Sequence, residues 1–151
     1  AKTMGYEVTA ISSSPRKREE AFALGASRFL HVNDRAALNQ MAYYFDLVYM
    51  TAHGGVAWGK ILDILRKRGK LILSGFPSIS FASVDLVVHE LSIAGSFVGS
   101  QEEMREMLQF SMLHHIQPKI ELMPMSQVNQ AIEKLRQHQA HYRIVLVNDA
   151  V

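Results

Sequence analysis

The chain has 151 residues, 48% of them apolar and 20% charged, with a formal net charge of +2, seven histidines and no cysteine. That is enough chain to bury one core and too apolar for a disordered segment, while the missing cysteine excludes a disulfide framework, a thiol nucleophile and a cysteine zinc site. No apolar run approaches the ~20 residues of a membrane span, no charged-then-apolar leader opens the chain, and the basic excess is too small for a nucleic-acid binder; the expectation is a cytoplasmic-type domain.

In chain order, Glu7 to Ser12 is β-branched and alternating, and predicts a strand. Ser14 before Pro15 marks a helix start, a hydroxyl N-cap followed by a residue whose missing N–H costs nothing there. That helix runs from Arg16 to Leu24, and Gly25 supplies a left-handed C-terminal cap. Ser27 to Val32 predicts a second strand, and Asn33 or Asp34 caps a helix reaching about Ala42. Phe45 to Thr51 is a third strand, apolar enough to be covered on both faces. His53-Gly54-Gly55 reads as a turn, and Val56 to Lys67 as a helix ended by Gly69. Lys70 to Ser74 is the fourth strand, closed by Gly75 and Pro77. Val84 to His89 predicts a short helix and Ser92 to Val98 a fifth strand. Ser100 caps a helix from Gln101 to His115 with Met104, Met107 and Leu108 on one face. Lys119 to Met123 predicts a short strand. Ser126 caps a last helix carrying Val128, Ala131, Ile132 and Leu135, and Tyr142 to Val147 is the final strand.

Strands alternating with helices of about ten residues imply right-handed crossovers and a parallel α/β sheet. Such sheets bind ligands at the carboxyl ends of their strands. Attention therefore falls on Ser12 to Ser14, Thr51, Gly75 and Ser96 to Val98.

The segment Ser12-Ser13-Ser14-Pro15-Arg16-Lys17-Arg18 is the most informative. In a dinucleotide-binding sheet, the end of the second strand faces the adenine ribose, and a reader of NAD places a carboxylate there. Here three hydroxyls and three cations occupy the turn, with no acid before Glu19. Hydroxyl donors, a helix N-terminus and cations suit a phosphate dianion, so the residues read as selecting NADP over NAD. The bland alternative is a capping serine followed by a solvated basic face.

Five ordered segments carry a family resemblance: ISSSPRKREEAFALGA, FDLVYMT, GKLILSG, GSFVGS and HYRIVLV. Together they resemble the cofactor domain of the medium-chain zinc-dependent alcohol dehydrogenases, within the cinnamyl-alcohol-dehydrogenase-like, NADP-using branch. The resemblance covers nearly the whole chain, and an ordered match of five segments is more specific than any single motif. It implies a Rossmann-type doubly wound parallel sheet. It also implies that Ser12, Ser13, Ser14 and Lys17 hold the adenosine 2′-phosphate, with Arg16 or Arg18 helping. Thr51 then lies near the adenosine and pyrophosphate, Gly75 at the nicotinamide ribose, and Ser96, Phe97 and Val98 at the nicotinamide amide. Arg143 matches an arginine that reaches the pyrophosphate.

The sequence also departs from the family pattern. The glycine-rich phosphate turn G-x-G-x-x-G is absent, as are the zinc ligands of the catalytic domain. The expected strand order is 3-2-1-4-5-6, so a missing first strand opens the sheet between Glu7–Ser12 and Phe45–Thr51. The expectation is therefore part of a longer enzyme, with residues 1–117 as an incomplete NADP-binding domain and 118–151 returning towards a catalytic domain that holds the zinc.

No metal site is expected in the chain itself. His114 and His115 point about 100° apart on a helix, and His53 and His89 lie in unrelated segments. Met104, Met107, Met112, Met123 and Met125 read as core filler, and Arg66-Lys67-Arg68 as the cationic last turn of a helix. The implied activity of the parent is NADPH-dependent interconversion of an aldehyde and a primary alcohol, both small molecules, by a homodimer joined through strand 92–98. A zinc-free quinone or enoyl reductase of the same superfamily and a non-catalytic dinucleotide sensor are the alternatives. On its own the chain is expected to bind dinucleotide poorly and to be inactive.

Overall fold

In the computed structural model, which describes residues 1–52, 57–137 and 139–148, strand β1 (Thr9–Ser12) pairs in parallel with β2 (Arg28–His31). The predicted turn at 53–55 and the predicted helix start at Val56 lie outside the described residues. Ser14 stands extended before Pro15, as expected, but its side chain makes no cap bond. Its carbonyl instead accepts from Lys17 N–H at 3.2 Å, so the helix opens with a 3-10 turn, Pro15–Lys17, ahead of α1 (Arg18–Ala23). Gly25 takes the left-handed conformation at φ 97°, as its position required. After β2, the Asp34 carboxylate accepts from Ala37 N–H at 3.0 Å and starts α2 (Arg35–Gln40).

A second parallel sheet follows, in the order β3 (Phe45–Met50), β4 (Leu65–Leu73), β5 (Ser92–Gly95). Two helices connect these strands, α3 (Trp58–Asp63) and α4 (Ser83–His89). Both join one core, in which Trp58, Ile61 and Leu62 meet Met50, Leu65 and Leu71, with Leu86 and Ile93 against it. Only one face of β3 is covered by that core. Val48 and Met50 pack inward, whereas Leu47 and Tyr49 are 40% and 57% exposed. The expectation of a strand covered on both faces is corrected accordingly.

The helix predicted to run to Lys67 ends at Asp63. Ile64 and Leu65 turn inward, and Leu65 pairs with Phe45; the next pair, Leu47 with Lys70, leaves residues 66–69 bulging from the sheet. Acids hold the bulge: Asp46 meets Arg66 at 2.5 Å, and Glu90 meets Lys67 at 2.9 Å and Arg68 at 2.8 Å. The regular part of β4 therefore begins at Lys70, where the sequence placed the strand.

Among the described residues, β1 does not pair with β3. The observed orders β2-β1 and β3-β4-β5 are what an order 3-2-1-4-5-6 leaves when its strand 1 is absent.

The chain divides into two compact units, Ala1–Val98 and Gly99–Val151. The second unit holds α5 (Gln101–Leu113), β6 (Ile120–Pro124), α6 (Val128–Arg136) and β7 (Arg143–Val147). Ser100 caps α5 as predicted, within a reciprocal box in which Glu103 accepts from Ser100 N–H. Ser126 falls in a 3-10 turn, and the N-cap of α6 is Gln127. Strands β6 and β7 are parallel, and Lys134 of α6 reaches back to Glu121 of β6. Met104, Met107 and Met112 are about half or more exposed, so in this chain they are surface and not core filler.

Candidate functional site: the strand ends

Two groups of residues form at carboxyl ends of strands. The first is the turn after β1. Ser12 sits opposite His31 in the parallel register, and Val32 N–H donates to Ser12 O at 3.0 Å, so the two strand ends leave the sheet together. Ser14 N–H donates to Ser12 Oγ at 3.2 Å. That bond occupies a lone pair of the hydroxyl and leaves its proton for another acceptor. Ser13, Arg16 and Lys17 are exposed. Arg18 turns away from them, its guanidinium lying 5.6 Å from the Phe22 ring centre and 5.9 Å from that of Phe29. Three hydroxyls and two solvent-facing cations thus share one short turn, and no acid stands among them.

The second group gathers at the ends of β3, β4 and β5. Ser74 N–H donates to Met50 O at 3.0 Å, and Ser96 N–H donates to Leu73 O at 2.8 Å, which carries the parallel ladders to their last residues. Beyond them Gly75 presses against the chain leaving β3. A Cβ on Gly75 would lie 2.5 Å from Ala52 O and 3.1 Å from Thr51 O, so only glycine fits. A cleft of about 560 Å3 opens beside it, lined by Ser74, Gly75, Phe76, Ser96 and Phe97. Phe76 and Phe97 meet edge to face at 6.3 Å, yet they are 76% and 80% exposed, and Val98 is 79% exposed. A clustered apolar rim of this kind is a feature of interaction surfaces and ligand clefts. The loop that carries Phe76 is pinned from below, because Trp58 Nε1–H donates to Ser78 O at 2.9 Å.

The structure therefore joins Ser12, Ser13, Ser14, Arg16 and Lys17 in one turn, and Gly75, Ser96 and Phe97 around one cleft, while the Thr51 carbonyl lies against Gly75. Arg143 is an exposed residue of the second unit, at the start of β7, paired in register with Ile120. Two participants were not singled out from the sequence. Phe76 had a signal, a large apolar residue directly after the strand-ending Gly75. The other is His31, whose Nε2 lies 3.0 Å from Ser13 O; only the pairing of β1 with β2 reveals it.

Among the described residues no three histidine, cysteine, aspartate or glutamate side chains converge, so no zinc-dependent step is assigned to them.

Known proteins share this framework. Cinnamyl alcohol dehydrogenase 5 of Arabidopsis thaliana is 38% identical over 149 residues, which is 97% of this chain and 42% of that protein. A cinnamyl alcohol dehydrogenase of Sorghum bicolor superposes with a TM-score of 0.87 at 32% identity, over 96% of this chain and 42% of the other. The CAD from Helicobacter pylori, solved in complex with NADP(H), superposes at 0.80 with 25% identity, over 97% of this chain and 42% of the other. The chain thus spans about 42% of the length of the relatives it matches. The family model for zinc-binding dehydrogenases matches residues 1–112, and the chain belongs to that family.

Proposed function

We propose that the chain is the cofactor-binding part of an NADP-dependent alcohol dehydrogenase that interconverts an aldehyde and a primary alcohol. Residues 1–117 form its dinucleotide-binding domain, and 118–151 lead back towards a catalytic domain that holds the zinc. The observation that carries the reading is the turn after β1. Its hydroxyls and cations match the 2′-phosphate that separates NADP from NAD, and no carboxylate that would repel this phosphate stands between Ser12 and Arg18.

Ser12 donates its free hydroxyl proton to a phosphate oxygen, Ser13 and Ser14 add donors, and Arg16 and Lys17 neutralise the dianion. Thr51 borders the adenosine and pyrophosphate. Gly75 lets the ribose approach the backbone, and Ser96, Phe97 and Val98 receive the nicotinamide against the apolar rim. Arg143 meets the pyrophosphate. When bound, the cofactor supplies the hydride that reduces the carbonyl carbon. The residues of this chain bind and orient it. The reading is supported by the NADP(H) complex of the Helicobacter pylori relative, whose fold this chain shares. Two further parts belong to it: a homodimer through the free edge of β5, and a cytoplasmic location. No helix among the described residues is long and apolar enough to cross a membrane.

The test is kcat/KM with NADPH and with NADH for the protein that carries this chain. Each charge-assisted phosphate contact contributes about 1.5–3 kcal/mol, so a preference for NADPH of about tenfold to a hundredfold is expected. Lys17→Ala lowers NADPH use and leaves NADH use nearly unchanged. Equal values for the two cofactors, or a preference for NADH, would overturn the proposal.

A further inference from the structure

We infer that His31 is a positioning residue that fixes the shape of the Ser12–Ser14 turn and thereby sets the preference between the two cofactors; the inference rests on the reading of that turn given above. His31 is the last residue of β2, directly across the register from Ser12. Asn33 N–H donates to its Nδ1 at 3.3 Å. A backbone amide can only donate, so Nδ1 carries no proton and the ring proton resides on Nε2. Nε2 then donates to Ser13 O at 3.0 Å.

On the other side of the same peptide unit, Ser14 N–H donates to Ser12 Oγ at 3.2 Å. The carbonyl and amide of a trans peptide point in opposite directions. The Ser13–Ser14 peptide is therefore held from both sides, by an imidazole and by a hydroxyl. Rotation of that plane would break both bonds at once. The consequences run forward along the chain: Ser13 and Ser14 project from fixed backbone positions, and the Ser12 hydroxyl has its lone pair engaged and its proton directed elsewhere. Pro15 with its restricted φ then delivers Arg16 and Lys17. Removing the imidazole would expose Ser13 O to water, which satisfies it, so the fold would survive. What would be lost is the prior ordering of donors that a phosphate otherwise finds in place.

A purely structural histidine would affect both cofactors alike. A positioning histidine affects only the one that carries the 2′-phosphate. The experiment measures dissociation constants for NADPH and NADH in the protein that carries this chain, comparing the unmodified form with His31→Leu and His31→Gln. His31→Leu is expected to weaken NADPH about fivefold to tenfold, the effect of one lost ordering hydrogen bond, and to leave NADH within about twofold. His31→Gln, whose side-chain amide offers an N–H to the same carbonyl, restores most of the loss. Unchanged NADPH affinity in His31→Leu, or an equal loss for both cofactors, would overturn the inference. Amide exchange at Ser14 reads the clamp without any cofactor: protection lost in His31→Leu supports it, and unchanged exchange overturns it. If the unmodified protein does not prefer NADPH, the reading of the turn falls, and with it cofactor selection by His31, while the exchange result still decides the clamp.

Discussion

Gly75 shows how much one hydrogen atom in place of a side chain can settle. Its backbone lies so close to the chain leaving β3 that a methyl group would sit 2.5 Å from Ala52 O, a backbone atom that cannot swing aside. Gly75→Ala must therefore push apart the ends of β3 and β4. The expected destabilisation is about 1–3 kcal/mol, read as a lowered midpoint in urea unfolding. An unchanged midpoint would show that the two chains part freely. The sequence marks Gly75 as a small residue ending a strand, and that much is legible. It does not show that the obstacle is another stretch of backbone, because Ala52 and Gly75 meet only when β3 and β4 pair. His31 is hidden for the same reason. Ser12 to Lys17 are legible because their chemistry is local: hydroxyls and cations adjacent in sequence remain adjacent in space.

At the level of elements, capping chemistry reads well where it is contiguous and poorly where a distant partner intervenes. Asp34 and Ser100 cap their helices through residues three positions on, and both are visible in the sequence. The stretch from Val56 to Lys67 has a continuous helical pattern, yet the helix stops at Asp63. The full burial of Ile64 and Leu65 outweighs the propensity to continue. The three cations that looked like a helix end are instead paired with Asp46 and Glu90, residues 20 or more positions away. In the second unit, one side-chain pair ties α6 to β6. Lys134, donating to Glu121, holds that carboxyl below its usual 4.5, helped by His141 N–H. A carboxyl lowered by folding stabilises the fold at pH values above its unfolded pKa, and that support is lost as pH falls through the lowered value. The β6–α6 contact is thus expected to hold at neutral pH and to loosen on acidification, as Glu121 takes up its proton. Glu121→Gln should reproduce that loosening at neutral pH, as faster amide exchange in α6. Equal exchange in the two forms would show that the pair does not hold the helix.

For the whole molecule, the informative quantity is where sheets stop. Among the described residues β5 pairs with β4 on one side only, and Ser92, Ala94 and Gly95 are exposed. An uncovered edge of this kind invites a second strand. In the proposed dimer two β5 edges meet across a two-fold axis, so Ala94→Lys would set like charges face to face. The protein that carries this chain is expected to sediment as a dimer at micromolar concentration, and Ala94→Lys as a monomer. A monomeric unmodified protein would remove β5 as the contact.

Trp58 is the only tryptophan in the chain. Its ring is buried in the core under β3–β5, while its N–H holds the carbonyl of Ser78, in the loop that frames the cleft. Excited beyond the tyrosine absorption band, this chain therefore emits from one indole, tethered to the mouth of its own cleft. Displacement of that loop changes the polarity around the ring and shifts the emission wavelength. A bound group absorbing near the emission band quenches it at short range. Occupancy of the cleft is written into the intrinsic fluorescence, with no label needed to read it.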